Sequence, residues 1–177
     1  RQMCIRDRIK EAQRVLEAEA KAIFASSNKL GLDFSKCVDL IIDCKGTVVI
    51  SGIGKSGNIG RKITSTLASL GTPSIFLHTS DAFHGDLGIL RKNDLLILIS
   101  NSGETDELIR LLNYANKNGI KSIAITGKID STINKKATCT LNAVVENEAC
   151  PLNLAPTCST SVTMALGDAL ALSLIHI

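Results

Sequence analysis

Short apolar stretches alternate with longer amphipathic stretches along most of the chain, and this alternation predicts its secondary structure. The apolar stretches are rich in β-branched residues and are as long as strands, whereas the stretches between them repeat apolar residues at the helical period. We expect strands at residues 47–51, 73–77, 94–100, 121–126 and 139–145. We expect helices at about residues 6–27, 34–44, 58–70, 105–118, 131–137 and 158–174, with a glycine-rich loop at residues 52–57.

The order of these elements predicts the architecture. Strands that are separated by helices pair in parallel and are covered by helices on both faces. The expected fold class is therefore α/β, a three-layer α-β-α sandwich around a five-stranded parallel sheet. We expect residues 1–30 to form an N-terminal helical segment that packs on the domain at residues 31–177. Because this long amphipathic segment precedes the sheet, it also predicts packing against a partner chain and hence an oligomer.

Ligands bind such sheets beyond the carboxyl ends of the strands, and the first of these ends is rich in glycine. Gly52, Gly54 and Gly57 have the spacing of a dinucleotide-binding turn, but no acidic residue ends the second strand. A nucleotide P-loop would need glycine at position 49, where the chain has Val49. What remains is a helix start whose free N–H groups, next to Lys55, suit an anion. The alternative is a tight turn with a solvated lysine.

Two further segments carry hydroxyl groups close to a helix start. Ser100, Asn101, Ser102 and Thr105 follow the third strand, and the run at residues 156–161, which includes Ser159, precedes the last helix. Several such turns at one edge of a sheet suggest a single phosphorylated ligand that also carries hydroxyl groups. Simpler interpretations stay open, because Thr157 or Ser159 would serve as an ordinary N-cap, and Glu104 and Asp106 as first-turn acids.

The composition changes this picture mainly by exclusion. Of the 177 residues 45% are apolar, which is enough for a single packed domain. Only 3% are aromatic, none is Trp and the net charge is +3, so we expect no nucleic-acid partner. No apolar run has the length of a membrane span, and we expect neither a signal peptide nor a membrane partner. The six cysteines form no CxxC pair, so we expect reduced thiols in the cytoplasm and no zinc finger.

Five motifs together resemble the sugar isomerase (SIS) domain of arabinose-5-phosphate isomerases, over residues 10 to 172. They are Ser51-Gly-Ile-Gly-Lys-Ser-Gly57, His84-Gly-Asp-Leu-Gly88, Ser100-Asn-Ser-Gly-Glu-Thr105, Glu148-Ala-Cys-Pro-Leu152 and Leu154-Ala-Pro-Thr157. The resemblance implies a flavodoxin-like SIS fold and interconversion of D-arabinose 5-phosphate and D-ribulose 5-phosphate through an enediol. This reaction supplies the sugar acid Kdo for lipopolysaccharide or capsule. The resemblance further implies a cytoplasmic homotetramer that needs no cofactor.

The resemblance also implies roles for individual residues. Lys55, Glu107 and Glu148 match catalytically relevant positions, and the sequence leaves open which glutamate is the base. His78 matches a histidine that binds inhibitory zinc in relatives. The residues that match sugar-phosphate contacts, or belong to the hydroxyl-bearing loops around them, are Gly54, Ser56, Gly71, Thr72, His84, Ser100, Asn101, Ser102, Thr105 and Ser159. The simpler alternatives are a solvated first-turn acid for Glu107 and structural loop histidines for His78 and His84.

The chain also departs from the family pattern. Members usually continue into a Ser-His-Pro-Gly-Gly segment, whose histidine is thought to be catalytic, and often into two CBS modules. Neither is present in these 177 residues, and His176 stands in an unrelated context. We therefore expect impaired activity if the chain is truncated. The competing functions are a phosphosugar-binding SIS module without catalysis, an SIS isomerase of another sugar phosphate and, last, a nicotinamide enzyme.

Overall fold

The computed structural model describes residues 5–175, so Cys4 and His176 lie outside the described residues. The strands are β1 (Val48–Gly52), β2 (Ser74–Phe76), β3 (Leu95–Ser100), β4 (Lys121–Thr126) and β5 (Cys139–Asn142). The helices are α1 (Ile5–Ser27), α2 (Leu32–Ile42), α3 (Gly54–Ser69), α4 (Thr79–Phe83), α5 (Asp106–Lys117), α6 (Thr132–Lys136) and α7 (Cys158–Ser173), and a 3₁₀ turn covers Asp86–Ile89.

The five strands form one parallel sheet in the order β2-β1-β3-β4-β5, which confirms the predicted fold class. Parallel strands that are covered on both faces are apolar throughout, and every residue of β1 and β3 is buried. Leu95, Ile97 and Ile99 face α2, α3 and α7 on one side of the sheet. Leu96 and Leu98 face α5 and α6 on the other. The sheet is therefore the middle layer of three.

The structure corrects the expected loop at residues 52–57, because α3 already begins at Gly54. Glycine disfavours helices, but tertiary packing overrides that preference here. A Cβ atom on Gly57 would lie 2.7 Å from the Gly52 carbonyl oxygen, and one on Gly60 would lie 2.9 Å from the Phe76 ring. Only glycine lets the helix lie this close to the strands, so its first turn sits directly at the end of β1.

Two short elements were not expected from the sequence. Helix α4 and the 3₁₀ turn that follows it have five and four residues, too few to display a helical period. Helix α4 is held by its cap, because Nδ1 of His78 accepts a hydrogen bond of 3.2 Å from the Ser80 N–H. Strand β5 is also shorter than expected and ends at Asn142.

Helix α1 packs along α7 and leaves much of its apolar surface exposed. Among its residues only Ser26 is buried. Ile5, Ile9, Leu16 and Phe24 are between 55% and 72% exposed. The division into a segment at residues 1–30 and a domain at residues 31–177 stays a prediction. Within residues 5–175, no helix combines the length and the apolar character that crossing a bilayer requires.

Helices α3 and α7 approach each other closely at Gly167. A Cβ atom there would lie 2.4 Å from both Cδ1 and Cγ1 of the fully buried Ile63. Next to this contact, Lys62 forms an ion pair with Asp168. Helices α3 and α7 therefore approach this closely only because residue 167 is a glycine and has no side chain.

We expect Gly167→Ala to lower the free energy of unfolding by about 1–3 kcal/mol, because Ile63 and the two helices must move apart. Urea denaturation measures this change. The control is Gly88→Ala, where no atom lies within 4 Å of an added Cβ, and we expect a change below about 0.5 kcal/mol. Equal stability of Gly167→Ala and the unaltered protein would contradict the close crossing.

Candidate active site

A cavity of about 270 Å³ opens at the carboxyl ends of β1 and β3. Strand β1 lies between β2 and β3, so the strand order reverses at this point, which is where ligands bind in open α/β sheets. The cavity is lined by Ile53, Lys55, Ser56, Ile59, Asn101, Pro156, Ser159, Thr160 and Thr163. It therefore brings together four of the predicted site residues, Lys55, Ser56, Asn101 and Ser159, from three separate parts of the chain.

The first turn of α3 forms one wall of this cavity. Ile53 is the N-cap residue and makes no side-chain capping bond, so the first N–H groups of the helix have no side-chain acceptor at that position. Gly54 has a φ of +59°, which strains any other residue, and it directly precedes the exposed Lys55. Free N–H groups, the positive end of the helix dipole and a lysine together favour an anion such as a phosphate.

The loop after β3 is fixed by its own hydrogen bonds. Ser100 Oγ lies 3.0 Å from Thr105 Oγ1 and accepts a 3.0 Å hydrogen bond from the Gly103 N–H. Ser102 Oγ accepts a hydrogen bond of 3.2 Å from the Glu104 N–H. These hydroxyl groups therefore hold the loop in its shape. The residue of this loop that lines the cavity is Asn101.

The same loop is tied to α6. Glu104 Oε1 accepts a 2.9 Å hydrogen bond from the Thr132 N–H, and this bond lowers the pKa of Glu104. A Cβ atom on Gly103 would lie 2.0 Å from Ser131 Oγ. The loop therefore reaches the cavity from a fixed position, with Glu104 in a structural role.

Glu148 lies beside the cavity and caps α7. Its Oε2 accepts hydrogen bonds from the Thr157 N–H (2.8 Å), Thr157 Oγ1 (3.1 Å) and the Ser159 N–H (3.2 Å). Its Oε1 accepts a further one from Ser159 Oγ. Partial burial raises the pKa of Glu148, but the hydrogen bonds from Ser159 and Thr157 prevail, so the net pKa lies below its ordinary value. The carboxylate is therefore ionised at neutral pH and is held in one orientation.

Glu148 lines a second cavity of about 220 Å³ that adjoins the first. Asn101 and Pro156 line both cavities, and Ser159 connects them because it lines the first and donates to Glu148. Gly127 lies behind Asn101 in the second cavity, and a Cβ atom there would lie 2.1 Å from Asn101 Oδ1. Glu148 is thus connected, through Ser159, to the cavity that Lys55 lines.

The structure does not bring Gly71 and Thr72 to this place. They precede β2 and line a different cavity with Gly46 and Val48, at the amino ends of the strands. Within one chain, Gly71 and Thr72 therefore lie at the opposite end of the sheet from Lys55, and their contact with a sugar phosphate stays a prediction.

The predicted Glu107, His84 and His78 also lie outside both cavities, as do Gly54, Ser100, Ser102 and Thr105. Glu107 is exposed in the first turn of α5, and His84 is the exposed C-cap residue of α4. His78 caps α4 through Nδ1. Among residues 5–175 no group of three or more His, Cys, Asp or Glu side chains could hold a metal ion. The zinc site at His78 stays a prediction.

Sequence reasoning missed several lining residues. Thr160 and Thr163 follow Ser159 on α7 at spacings of one and four residues, so the helical period would have placed Thr163 on the face of Ser159. Pro156 belongs to the motif at residues 154–157, which by itself assigns it no role. Ile53 and Ile59 supply apolar surface, for which the sequence carries no separate signal. The N-cap interpretation was also incomplete, because the acceptor at the start of α7 is Glu148.

Comparison with known proteins relates the chain to one protein family. The sequence model of the SIS domain matches residues 40–173. A probable arabinose 5-phosphate isomerase of Haemophilus influenzae is 52% identical over 94% of this chain and 50% of its own length. Arabinose 5-phosphate isomerase KdsD of Pseudomonas aeruginosa is 48% identical over 96% of this chain and 52% of its own length. The chain thus spans about half the length of these curated relatives.

A solved structure matches nearly the whole fold. It is that of c3406 from Escherichia coli CFT073 in complex with arabinose 5-phosphate, with a TM-score of 0.94 and 39% sequence identity. The match covers 98% of this chain and 93% of that chain. The two molecules therefore share an architecture over a unit of almost equal size.

We expect Glu148→Ala to lower the free energy of unfolding by about 1–2 kcal/mol near neutral pH, because α7 loses its acceptor. Since the folded-state pKa is lowered, this contribution is present above the unfolded-state pKa and is lost as the pH falls through the folded-state value. Urea denaturation at neutral and acidic pH measures both effects. Glu146→Ala, in the same cavity wall, is the control and should change stability by less than about 0.5 kcal/mol. The capping role would be contradicted if the difference in free energy of unfolding between Glu148→Ala and the unaltered protein stayed the same at acidic pH.

Proposed function

The chain belongs to the SIS domain family, and from this we propose that it is an aldose–ketose isomerase that interconverts D-arabinose 5-phosphate and D-ribulose 5-phosphate. One observation carries the proposal: a cavity at the strand ends joins a helix N-terminus and Lys55 to the hydroxyl of Ser159, which donates to the carboxylate of Glu148. The two curated relatives bear the name of this activity. The product would feed synthesis of Kdo for lipopolysaccharide or capsule.

The substrate class follows from the chemistry of the cavity walls. The start of α3 suits a phosphate, while Asn101, Ser159, Thr160 and Thr163 offer donors and acceptors for sugar hydroxyls. The cavity of about 270 Å³ lies just below the range of about 300–1,000 Å³ that is usual for drug-sized ligands, which suits a ligand as small as a pentose phosphate. The complex of c3406 supports this substrate, because that chain of similar size and architecture binds arabinose 5-phosphate.

The reaction moves a proton between adjacent carbons. A base removes the proton from C2 of the aldose, the C1–C2 double bond forms, and the carbonyl oxygen on C1 takes a proton to give the enediol. The oxygen on C2 then loses its proton as C1 gains one, which yields the ketose. The protein must supply a base, a group that stabilises the developing oxyanion and an anchor for the phosphate.

We assign the proton transfer to Glu148 rather than to Glu107. The carboxylate of Glu148 is ionised, oriented by four hydrogen bonds and joined to the cavity through Ser159, whereas Glu107 is exposed outside it. Lys55 holds the phosphate or stabilises the enediolate oxygen. The family resemblance is the only support for a catalytic role of Glu107 and for a substrate contact of His84.

The proposal extends to assembly and location. Exposed apolar residues on α1, among them Leu16 and Phe24, favour contact with further copies, which supports the homotetramer that the resemblance implies. The five cysteines within the described residues are free thiols, in keeping with the proposed cytoplasmic location.

Incubation of the chain with arabinose 5-phosphate, with detection of ribulose 5-phosphate, tests the function. Turnover supports the proposal. Binding without turnover, both in this chain and in one extended past Ile177, would instead indicate a phosphosugar-binding module. Turnover only in the extended chain would place an essential group beyond the SIS domain.

We expect Lys55→Gln to lower kcat/KM by about 10²–10³-fold, because a charge that stabilises phosphate or enediolate is lost. Steady-state kinetics measures the effect. Lys45→Gln is the matched control. Lys45 is also exposed, but it precedes the amino end of β1, whereas Lys55 follows the carboxyl end of that strand. This control should leave kcat/KM within about twofold of the unaltered value. Equal losses in the two variants would show that net charge, rather than the position of Lys55, matters.

We expect Glu148→Gln to lower kcat by about 10²–10⁴-fold while inorganic phosphate still inhibits at similar concentrations, because the amide cannot accept the proton. Glu107→Gln is the comparison, and a smaller fall in kcat is expected. The proton-transfer assignment to Glu148 fails if its amide variant turns over at the normal rate.

A further inference from the structure

Helix α1 reaches the loop that carries Glu148, although it lies outside the residues matched by the SIS domain model. Arg14 Nη2 donates a hydrogen bond of 2.6 Å to the carbonyl oxygen of Ala149. Ala149 directly follows Glu148 and is 2% exposed. The contact joins positions that are 135 residues apart in the sequence.

The guanidinium group of Arg14 is itself held in place. Its Nε lies 2.8 Å from Glu11 Oε2, and its Nη2 lies 2.6 Å from Glu11 Oε1. Planar two-point pairing of this kind fixes the direction of the remaining N–H groups. Glu11 therefore aims Arg14 at the Ala149 carbonyl from one turn earlier on α1.

The backbone around Glu148 is held on both sides. The Glu148 N–H donates to Asn153 Oδ1 at 2.9 Å, and the Ala149 N–H donates to Thr157 Oγ1 at 2.9 Å. The Ala149 carbonyl then accepts from Arg14. Thr157 also donates through Oγ1 to the Glu148 carboxylate, so main chain and side chain share one partner. The Arg14 bond fixes the side of this arrangement that faces α1.

We infer that Arg14 is a positioning residue for Glu148, so that the N-terminal helix helps to set the reactive carboxylate. This inference rests on the proposed role of Glu148 in the isomerisation. Without Arg14, the buried Ala149 carbonyl loses its donor, and the peptide that follows Glu148 turns toward water. The hydrogen bonds from Thr157 and Ser159 to the carboxylate then lose their alignment.

The test compares Arg14→Gln, Arg14→Lys and Arg6→Gln in the full chain. Arg6→Gln makes the same chemical change at an exposed position about two turns earlier on α1 and is the control. The measurements are kcat, KM and the acid limb of the kcat profile for arabinose 5-phosphate, together with backbone amide exchange by mass spectrometry.

We expect Arg14→Gln to lower kcat by about 10-fold with KM within about twofold, as for displaced catalytic groups in general. The acid limb moves to higher pH, because hydrogen bonds to the ionised carboxylate are weakened. Amide exchange accelerates at residues 148–159 and stays unchanged in β3. Arg14→Lys keeps a donor and recovers most of the lost kcat.

The inference is overturned if Arg14→Gln matches Arg6→Gln in kcat and in exchange at residues 148–159. Uniformly faster exchange, with kcat lost in proportion and the acid limb unmoved, would also overturn it, because Arg14 would then only stabilise the fold. Absence of turnover in the unaltered chain would count against the proposed function instead. Amide exchange would still show whether Arg14 orders the Glu148 loop.

Discussion

The parallel pairing of β1 with β3 is the constraint on which the rest of the molecule depends. Val48 pairs with Leu95 and Gly52 with Ile99, so the two buried strands end side by side. Their ends direct the first turn of α3 and the loop at Asn101 to the same edge of the sheet. Had the strands run in opposite directions, Lys55 and Asn101 would lie at opposite edges.

The walls of the cavity are set by contacts between backbones and by one carboxylate. Gly57 and Gly60 allow α3 to lie against β1 and β2, and thereby bring its N-terminus to the end of β1. Beside this cavity, Glu148 accepts hydrogen bonds from two N–H groups at the start of α7. One side chain thus both caps the start of α7 and lines the second cavity, which couples the stability of α7 to the geometry of the candidate site.

Much of this arrangement could be predicted from the sequence, because strand direction decides which loops meet. Lys55, Asn101 and Ser159 follow strands or begin a helix at one edge of the sheet, and they line one cavity.

Other parts of the site could not be placed in this way. Gly71 and Thr72 are assigned to the site by resemblance alone, although their position before a strand argues for the other edge of the sheet. Helix α4 was too short to show a period. The hydrogen bond from Arg14 to Ala149 joins distant parts of the chain, and no local pattern encodes it.

Asn101 stands where the two cavities meet, with the bare backbone of Gly127 directly behind it. An engineer who wished to admit a longer or bulkier ligand would therefore begin by shortening the Asn101 side chain, since that opens the partition between the two cavities. The same design would have to retain glycine at 103, because a methyl group there would collide with Ser131 Oγ, and at 127, because a methyl group there would still lie 3.0 Å from the Asn101 carbonyl oxygen. Redesign of substrate size is thus confined to a narrow set of positions along this partition.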